Sequence, residues 1–126
     1  MTEPIISVKE LFHQYGDFTA VDGISFEVSE GEIFSFLGPN GAGKSTAINV
    51  LITLLPLQQG SATVAGFDVV KDPEQVRESI GIVFQDVTLD RDMTCREILE
   101  FHGNLYKMPN AERKDRIEEL LALVQL

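Results

Sequence analysis

The sequence predicts an α/β fold from three observations. Residues 33–37 form a nearly continuous apolar run, which is typical of a parallel strand covered on both faces. A glycine-rich turn follows this run, and after the turn apolar residues recur at helical spacing. Other short segments alternate apolar and polar residues, which is typical of antiparallel strands with one buried face. We therefore expect a parallel core beside a small antiparallel sheet.

The composition limits the class of protein. The chain has 126 residues, of which 44% are hydrophobic and 24% charged, so we expect one small globular domain or part of a larger one. Its formal net charge of -10 argues against nucleic-acid binding, which needs a basic patch. The single Cys95 excludes an internal disulfide and fits a reducing compartment. Because no stretch approaches the roughly 20 apolar residues of a bilayer span and no leader pattern is present, we expect a cytosolic chain.

The antiparallel sheet is predicted from three segments. Residues 24–28 alternate regularly, and residues 6–15 form their less regular partner. Gly16 and Asp17 break the chain after the first of these strands. Residues 61–64 alternate in the same way after a turn, so they add a third strand.

Two helices are predicted around the core. The first should begin at Lys44 and end at Leu55, because Pro56 stops it. The apolar stripe expected to pack on a sheet comprises Ile48, Leu51, Ile52 and Leu55. The second helix is opened by a proline and covers Pro73–Ser79.

The C-terminal part reads as a strand, a loop and two more helices. Residues 80–84 repeat the pattern of a buried parallel strand, and residues 86–92 are a polar loop. Thr94 and Glu97 have the spacing of a capping box that opens a helix. Asn110 is predicted to cap the last helix. The two apolar stripes comprise Ile98, Phe101, His102 and Leu105, then Ile117, Leu120, Leu121 and Val124.

The strongest motif spans residues 38–46, which match G-x-x-x-x-G-K-[ST] between a predicted strand and a helix. Its three glycines let main-chain N–H groups converge on phosphate oxygens. Lys44 is expected to reach the β- and γ-phosphates, the Ser45 hydroxyl to coordinate Mg2+, and Thr46 to donate nearer the α-phosphate. The predicted nucleotide-binding residues are Gly38, Pro39, Asn40, Gly41, Ala42, Gly43, Lys44, Ser45 and Thr46. The alternative is a glycine-rich turn without a ligand.

An antiparallel unit before this loop, and a second strand that ends in a glutamine, resemble the ATPase subunit of an ATP-binding cassette transporter. The segments that carry the resemblance are residues 21–28, 31–34, 38–46, 60–69 and 80–86. Within that family they are similar to the daunorubicin-resistance type of drug and lipid exporter. The resemblance covers essentially the whole chain but only about the first half of the family's cassette.

The resemblance implies a partial P-loop NTPase core with an antiparallel β subdomain and the start of a helical subdomain. The antiparallel subdomain would comprise residues 1–31 and 57–70. Residues 32–56 and 71–85 would belong to the P-loop core. Residues 86–126 would hold the family's Q-loop and the first helices of the helical subdomain.

The resemblance also assigns roles to single residues. Tyr15 falls where the family places an aromatic ring that stacks on adenine, and the alternative is a ring that fills the corner of the antiparallel sheet. Gln85 falls at the Q-loop position, where an amide contacts magnesium and the attacking water. The alternative is a polar residue that ends a buried strand. Lys44 and Gln85 are thus the implied catalytic residues, and Ser45 and Gln85 the implied magnesium ligands.

The implied function is ATP hydrolysis that powers export through a separate membrane-spanning subunit, contacted through the Q-loop and the region after it. A second ATPase subunit would complete the site, and the protein would lie on the cytoplasmic face of the cell membrane. The family's signature motif, Walker B aspartate, adjacent glutamate and switch histidine belong beyond residue 126. We therefore expect this chain alone to bind ATP or ADP without turnover, and to swap strands, self-associate or distort its sheet.

Other interpretations remain open at this point. The chain could be a non-catalytic nucleotide-binding module, or part of a soluble cassette ATPase of DNA repair or translation. His13 and His102 lack partners at ligand spacing and are interpreted as surface or core histidines. Asp86, Asp90 and Asp92 are interpreted as a solvated loop in preference to a metal site.

Overall fold

The computed structural model describes residues 3–39 and 41–126. Its elements, in chain order, are β1 (Ile6–Tyr15), β2 (Phe18–Val28), α1 (Lys44–Leu51), β3 (Gln59–Val64), β4 (Phe67–Asp68), α2 (Pro73–Ser79), α3 (Cys95–Leu105) and α4 (Asn110–Leu123). They form two compact units, the first ending at Gly81 and the second beginning at Ile82. In the part of the chain described, no helix combines the length and the apolar character that crossing a bilayer requires.

The first unit is built on a four-stranded antiparallel sheet in the order β2-β1-β3-β4. The long hairpin of β1 and β2 pairs Ile6 with Val28 at one end and Tyr15 with Phe18 at the other. β3 lies on the other side of β1 and pairs Val64 with Ile6. The predicted antiparallel sheet is therefore present, with β2 longer than the sequence pattern indicated.

A bulge interrupts β1 near its middle. The register shifts between Val8 and Leu11, and Glu10 has a φ of 50°. The freed Glu10 N–H donates to Ser25 Oγ at 2.9 Å, so its hydrogen bond is not lost. On the other side, a Cβ at Gly60 would lie 2.3 Å from the Glu10 carbonyl oxygen. Only glycine lets β3 approach the bulge this closely.

The core of the first unit lies between the sheet and α1. Val8 and Leu11 of β1 are almost fully buried, and Ala47 and Val50 of α1 lie in the same cluster. The other buried members are Val21, Leu51, Ala62, Val64, Val69 and Val76. The buried face of α1 thus differs from the predicted stripe, since Ile48 is 42% exposed.

The first predicted helix ends four residues earlier than the sequence indicated. α1 ends at Leu51, and Thr53 has a φ of 67°, which is unusual for a β-branched residue. The Leu54 N–H donates to Asn49 O at 2.8 Å and the Thr53 N–H to Val50 O at 3.1 Å. These two bonds form a Schellman motif, which closes the helix before Pro56 acts.

The two predicted parallel strands are not present among residues 3–39 and 41–126. Residues 33–37 and 80–84 are neither helix nor strand, and Ile33 and Val83 are 95% and 100% exposed. The physical reason is that a strand requires a neighbour to bond its main chain, and every described strand belongs to the antiparallel sheet. One side of residues 33–37 is partly covered, because Phe34 stacks on Phe26 with centroids 4.9 Å apart.

The second unit contains α3 and α4. The predicted capping box is confirmed: Thr94 Oγ1 accepts from the Glu97 N–H at 3.2 Å, and Glu97 Oε2 accepts from the Thr94 N–H at 2.7 Å. Arg113 of α4 donates to Glu100 of α3 at 2.8 Å.

The predicted cap of α4 was wrong. Asn110 is the first residue of the helix, Pro109 is the N-cap, and Asn110 Oδ1 accepts from Arg113 Nη2 at 2.6 Å. The described start of α4 has no side-chain cap bond, so this oxygen serves a side chain and not the main chain. Of the predicted stripe, Ile117 and Leu121 are buried, whereas Val124 is 60% exposed.

Candidate nucleotide-binding site

The start of α1 is fixed by a contact between main-chain atoms. Gly43, the N-cap, has a φ of 89°, and a Cβ there would lie 2.1 Å from the Ala20 carbonyl oxygen. Ala20 is a bulge residue in β2, between the pairs Gln14 with Thr19 and His13 with Val21. The bulge and the glycine together bring the loop directly against the end of the hairpin.

Among the described residues, no side chain caps the N-terminus of α1, and its first turn has no acidic residue. The first helical bond is from the Ala47 N–H to Gly43 O at 2.9 Å, so the N–H groups of Lys44, Ser45 and Thr46 precede the regular ladder. A helix start carries roughly half a positive charge. Donors that have no partner among the described residues, together with this charge, suit an anion such as phosphate.

Two side chains at this helix start have the chemistry that a metal–nucleotide complex requires. The Lys44 Nζ donates to the Gly38 carbonyl oxygen, and an ammonium with three donors is not exhausted by one bond. Ser45 is exposed and offers a hydroxyl oxygen. Mg2+ prefers few protein oxygen ligands together with phosphate oxygens. Among the described residues, no three His, Cys, Asp or Glu side chains cluster as a dedicated metal site would require.

Tyr15 lies at the edge of the same site and is held on two sides. Its hydroxyl lies 3.3 Å from Thr46 Oγ1, which links the end of β1 to α1. The His13 ring packs edge-on against it with centroids 4.7 Å apart. His13 is 2% exposed and is a core histidine, and its Nδ1 has no hydrogen-bond partner among the residues described. The Tyr15 ring remains 47% exposed.

These groups enclose a cavity of about 300 Å³. Its lining comprises Tyr15, Phe18, Ala20, Gly41, Gly43, Lys44, Ser45 and Thr46. The structure therefore brings Tyr15 together with five of the predicted loop residues. Sequence reasoning missed Phe18 and Ala20. A signal for Phe18 was available, because the break at residues 16–17 implies a tight hairpin that sets residues 15 and 18 opposite each other.

The remaining predicted site residues have different placements. Gly38, Pro39 and Ala42 lie in the outer part of the loop, where the Ala42 N–H donates to Pro39 O at 3.2 Å. Asn40 lies outside the described residues. Gln85 belongs to the second unit, in an exposed segment that is neither helix nor strand, and its contact with magnesium stays a prediction.

The profile of the ABC transporter family matches residues 21–126, and the chain belongs to that family. It is 39% identical over 122 residues to the linearmycin resistance ATP-binding protein LnrL of Bacillus subtilis strain 168, covering 97% of this chain and 39% of that protein. It is 44% identical over 108 residues to the daunorubicin resistance ATP-binding protein DrrA2 of Streptomyces coeruleorubidus. This match covers 86% of this chain and 34% of that protein. The chain thus spans little more than a third of these relatives.

A solved structure shows the same architecture. cbiO1 from Clostridium perfringens, described as part of the ABC transporter complex cbiONQ, is 31% identical with a TM-score of 0.80 over 96% of this chain and 50% of that one. The predicted fold class, a partial α/β cassette with an antiparallel subdomain, is confirmed by this likeness. The predicted resemblance to drug-resistance ATP-binding proteins is confirmed by the sequence matches.

Proposed function

We propose that this chain binds ATP where the glycine-rich loop meets α1. The observation that carries the proposal is the start of α1, where uncapped N–H groups, Lys44 and Ser45 lie beside the ring of Tyr15. Loop glycines and a helix N-terminus suit phosphate, and a flat ring suits a flat base. Both ends of a nucleotide therefore have a partner within one cavity.

Each residue has a proposed role. The main-chain N–H groups at the start of α1 hold phosphate oxygens, and Lys44 neutralises charge on the β- and γ-phosphates. Thr46 donates near the α-phosphate. Tyr15 stacks on adenine, an interaction that contributes about 1–3 kcal/mol in related base–aromatic contacts. Gly38, Pro39, Asn40 and Ala42 shape the loop.

Ser45 and Gln85 are the proposed magnesium ligands. Both supply a neutral oxygen, and the bound ion would supply the remaining positive charge that the triphosphate requires. Lys44 and Gln85 are the proposed catalytic residues of the complete enzyme, Gln85 by orienting the attacking water.

The complete protein is proposed to be the ATPase of a drug exporter. The support is that two relatives are named for resistance to linearmycin and daunorubicin, and that cbiO1 is part of a transporter complex. The partners would be a membrane-spanning subunit, contacted through Gln85 and the region after it, and a second ATPase subunit. The protein would lie on the cytoplasmic face of the membrane. These relatives do not favour a soluble cassette ATPase of DNA repair or translation.

The test is the ATP affinity of Lys44→Ala, measured by titration calorimetry with magnesium present. Loss of hydrogen bonds to a charged group should weaken binding about ten- to a hundredfold, or about 1.5–3 kcal/mol. Lys71→Ala is the control, since Lys71 is an exposed lysine of the same unit away from the cavity lining. An unchanged constant for Lys44→Ala would remove this lysine from the site.

A further inference from the structure

Phe18 is an exposed aromatic residue in an informative place. It is the first residue of β2, and the residue is 59% exposed. A single exposed apolar residue needs no explanation by itself. Phe18, however, lines the same cavity as Gly41, Gly43 and Lys44. Its exposed ring therefore borders the proposed nucleotide site.

The hairpin fixes the relation between Phe18 and Tyr15. The two residues are Cα partners at the closed end of β1 and β2. Side chains directly opposite each other in an antiparallel pair lie on the same face of the sheet, about 5 Å apart at Cβ. Both rings are thus presented on one face, at the entrance of the cavity.

The two rings differ in how firmly they are held. Tyr15 is linked through its hydroxyl to Thr46 and packs against the edge of His13. Phe18 has no polar atom in its side chain and is the more exposed of the two, at 59% against 47%. Tyr15 is therefore held in one position at the entrance of the cavity. The ring of Phe18 has no hydrogen bond to hold it and can adjust to a bound ligand.

We infer that Phe18 is a second aromatic contact for the nucleobase and a specificity-determining residue for nucleotides over phosphate alone. The inference rests on the proposed ATP site. Stacking against a ring face tolerates any flat base, and it removes apolar surface of Phe18 and the base from water. Inorganic tripolyphosphate has no base, so Phe18 contributes nothing to its binding.

The experiment compares ATP with tripolyphosphate in the full 126-residue chain, using calorimetry with magnesium. Phe18→Ala should weaken ATP binding about five- to a hundred-and-fiftyfold, the range of a lost base–aromatic contact, and leave tripolyphosphate binding unchanged. Phe18→Leu keeps apolar bulk without a ring, so it perturbs the fold less than Phe18→Ala. It should weaken ATP binding about threefold. Phe67→Ala is the control, an aromatic of the same unit, 38% exposed and outside the cavity lining, and should change neither affinity.

The outcomes separate this inference from the proposal on which it rests. ATP affinity unchanged in both Phe18 variants, with wild-type binding intact, would overturn the role of Phe18 alone. An equal loss for ATP and tripolyphosphate would also overturn it, because Phe18 would then act on the loop and not on the base. Wild-type chain that binds neither ligand would overturn the ATP site and the role of Phe18 together.

Discussion

The N-termini of α1 and α3 differ in whether their own chain compensates the positive charge of the helix start. At α3, Thr94 and Glu97 satisfy two donors reciprocally, and the Glu97 carboxylate lies at the positive end of the helix. At α1, Gly43 offers no side chain, and no acid occurs in the first turn. Each of the other three helices that the structure describes has a glutamate there: Glu74, Glu97 and Glu112.

The difference separates a helix start that stabilises the fold from one kept available for a ligand. A capped terminus gains stability from its own chain, and a carboxylate already occupies the place of an anion. An uncapped terminus forgoes about 1 kcal/mol of that stability. At α1 this cost falls beside a lysine, an exposed hydroxyl and an aromatic ring, which is why we place the phosphates there and not at α3.

The largest effect is expected from Gly43→Ala. The added Cβ would meet the Ala20 carbonyl at 2.1 Å at a φ of 89°, so the loop must move. We expect a loss of about 2–4 kcal/mol in the free energy of unfolding, and at least about a hundredfold in ATP affinity. Urea unfolding and calorimetry measure the two quantities.

Gly41→Ala is the matched control for Gly43→Ala. Gly41 has a φ of 87°, yet no described atom lies within 4 Å of a Cβ there. Gly41→Ala should lose only about 1–2 kcal/mol in the free energy of unfolding, through backbone strain. Equal losses in the two variants would show that the contact with Ala20 does not hold the loop.

A smaller effect is expected when α1 is made to resemble α3. Ser45→Asp places a carboxylate at the helix start, which should raise the stability of the free chain by about 0.3–1 kcal/mol. In the absence of magnesium, which the new carboxylate could otherwise ligate, it should also repel the triphosphate and weaken ATP binding about thirty- to a hundredfold. Ser45→Asn introduces a neutral side chain of the same size as aspartate, and it should weaken ATP binding much less than Ser45→Asp. ATP affinity that Ser45→Asp leaves intact would contradict the placement of the phosphates.

The smallest effect concerns the capped terminus. Hydrogen bonds from the Thr94 main chain and then from its hydroxyl lower the pKa of Glu97 below its usual value. A carboxyl whose pKa is lower in the folded chain stabilises the fold above its unfolded pKa, roughly 4.3 for glutamate. That stabilisation is lost as the pH falls through the lower folded value.

Glu97→Gln should therefore be less stable than wild type at pH 7, with the two curves converging below about pH 4. Thr94→Ala should lose about 1 kcal/mol at pH 7. Denaturant unfolding across pH 3–7 measures both, and neither variant should alter ATP affinity. Curves that stay parallel over this range would contradict the role of the carboxylate in the cap.

Features set by neighbouring residues were predictable from the sequence. The antiparallel pairing of residues 6–15 with 24–28, the helix α2 and the Thr94 capping box occur as expected, although β2 begins earlier than predicted. The residues of the glycine-rich loop were recognised because their spacing alone defines the motif. The fold class was predicted partly from the apolar run at residues 33–37, which the structure does not describe as a strand, and it is confirmed by the likeness to cbiO1.

Features that depend on distant partners were not predictable. Residues 33–37 have the composition of a strand, but composition does not supply a bonded neighbour. The end of α1 was missed because a threonine with positive φ has no sequence signature. The break at residues 16–17 indicated that Phe18 would face Tyr15, but the cavity that Phe18 lines also needs α1, which is distant in sequence.

The contact of Gly43 with Ala20 involves a carbonyl oxygen, an atom that every amino acid carries. Position 20 is therefore under little chemical restriction from this contact, whereas position 43 accepts a single residue type. An engineer who wishes to reshape the mouth of the cavity should keep residue 43 and choose at position 20 a side chain that fits against the core on which Ala20 packs. The anchorage of the loop is in this sense independent of the side chains that surround it.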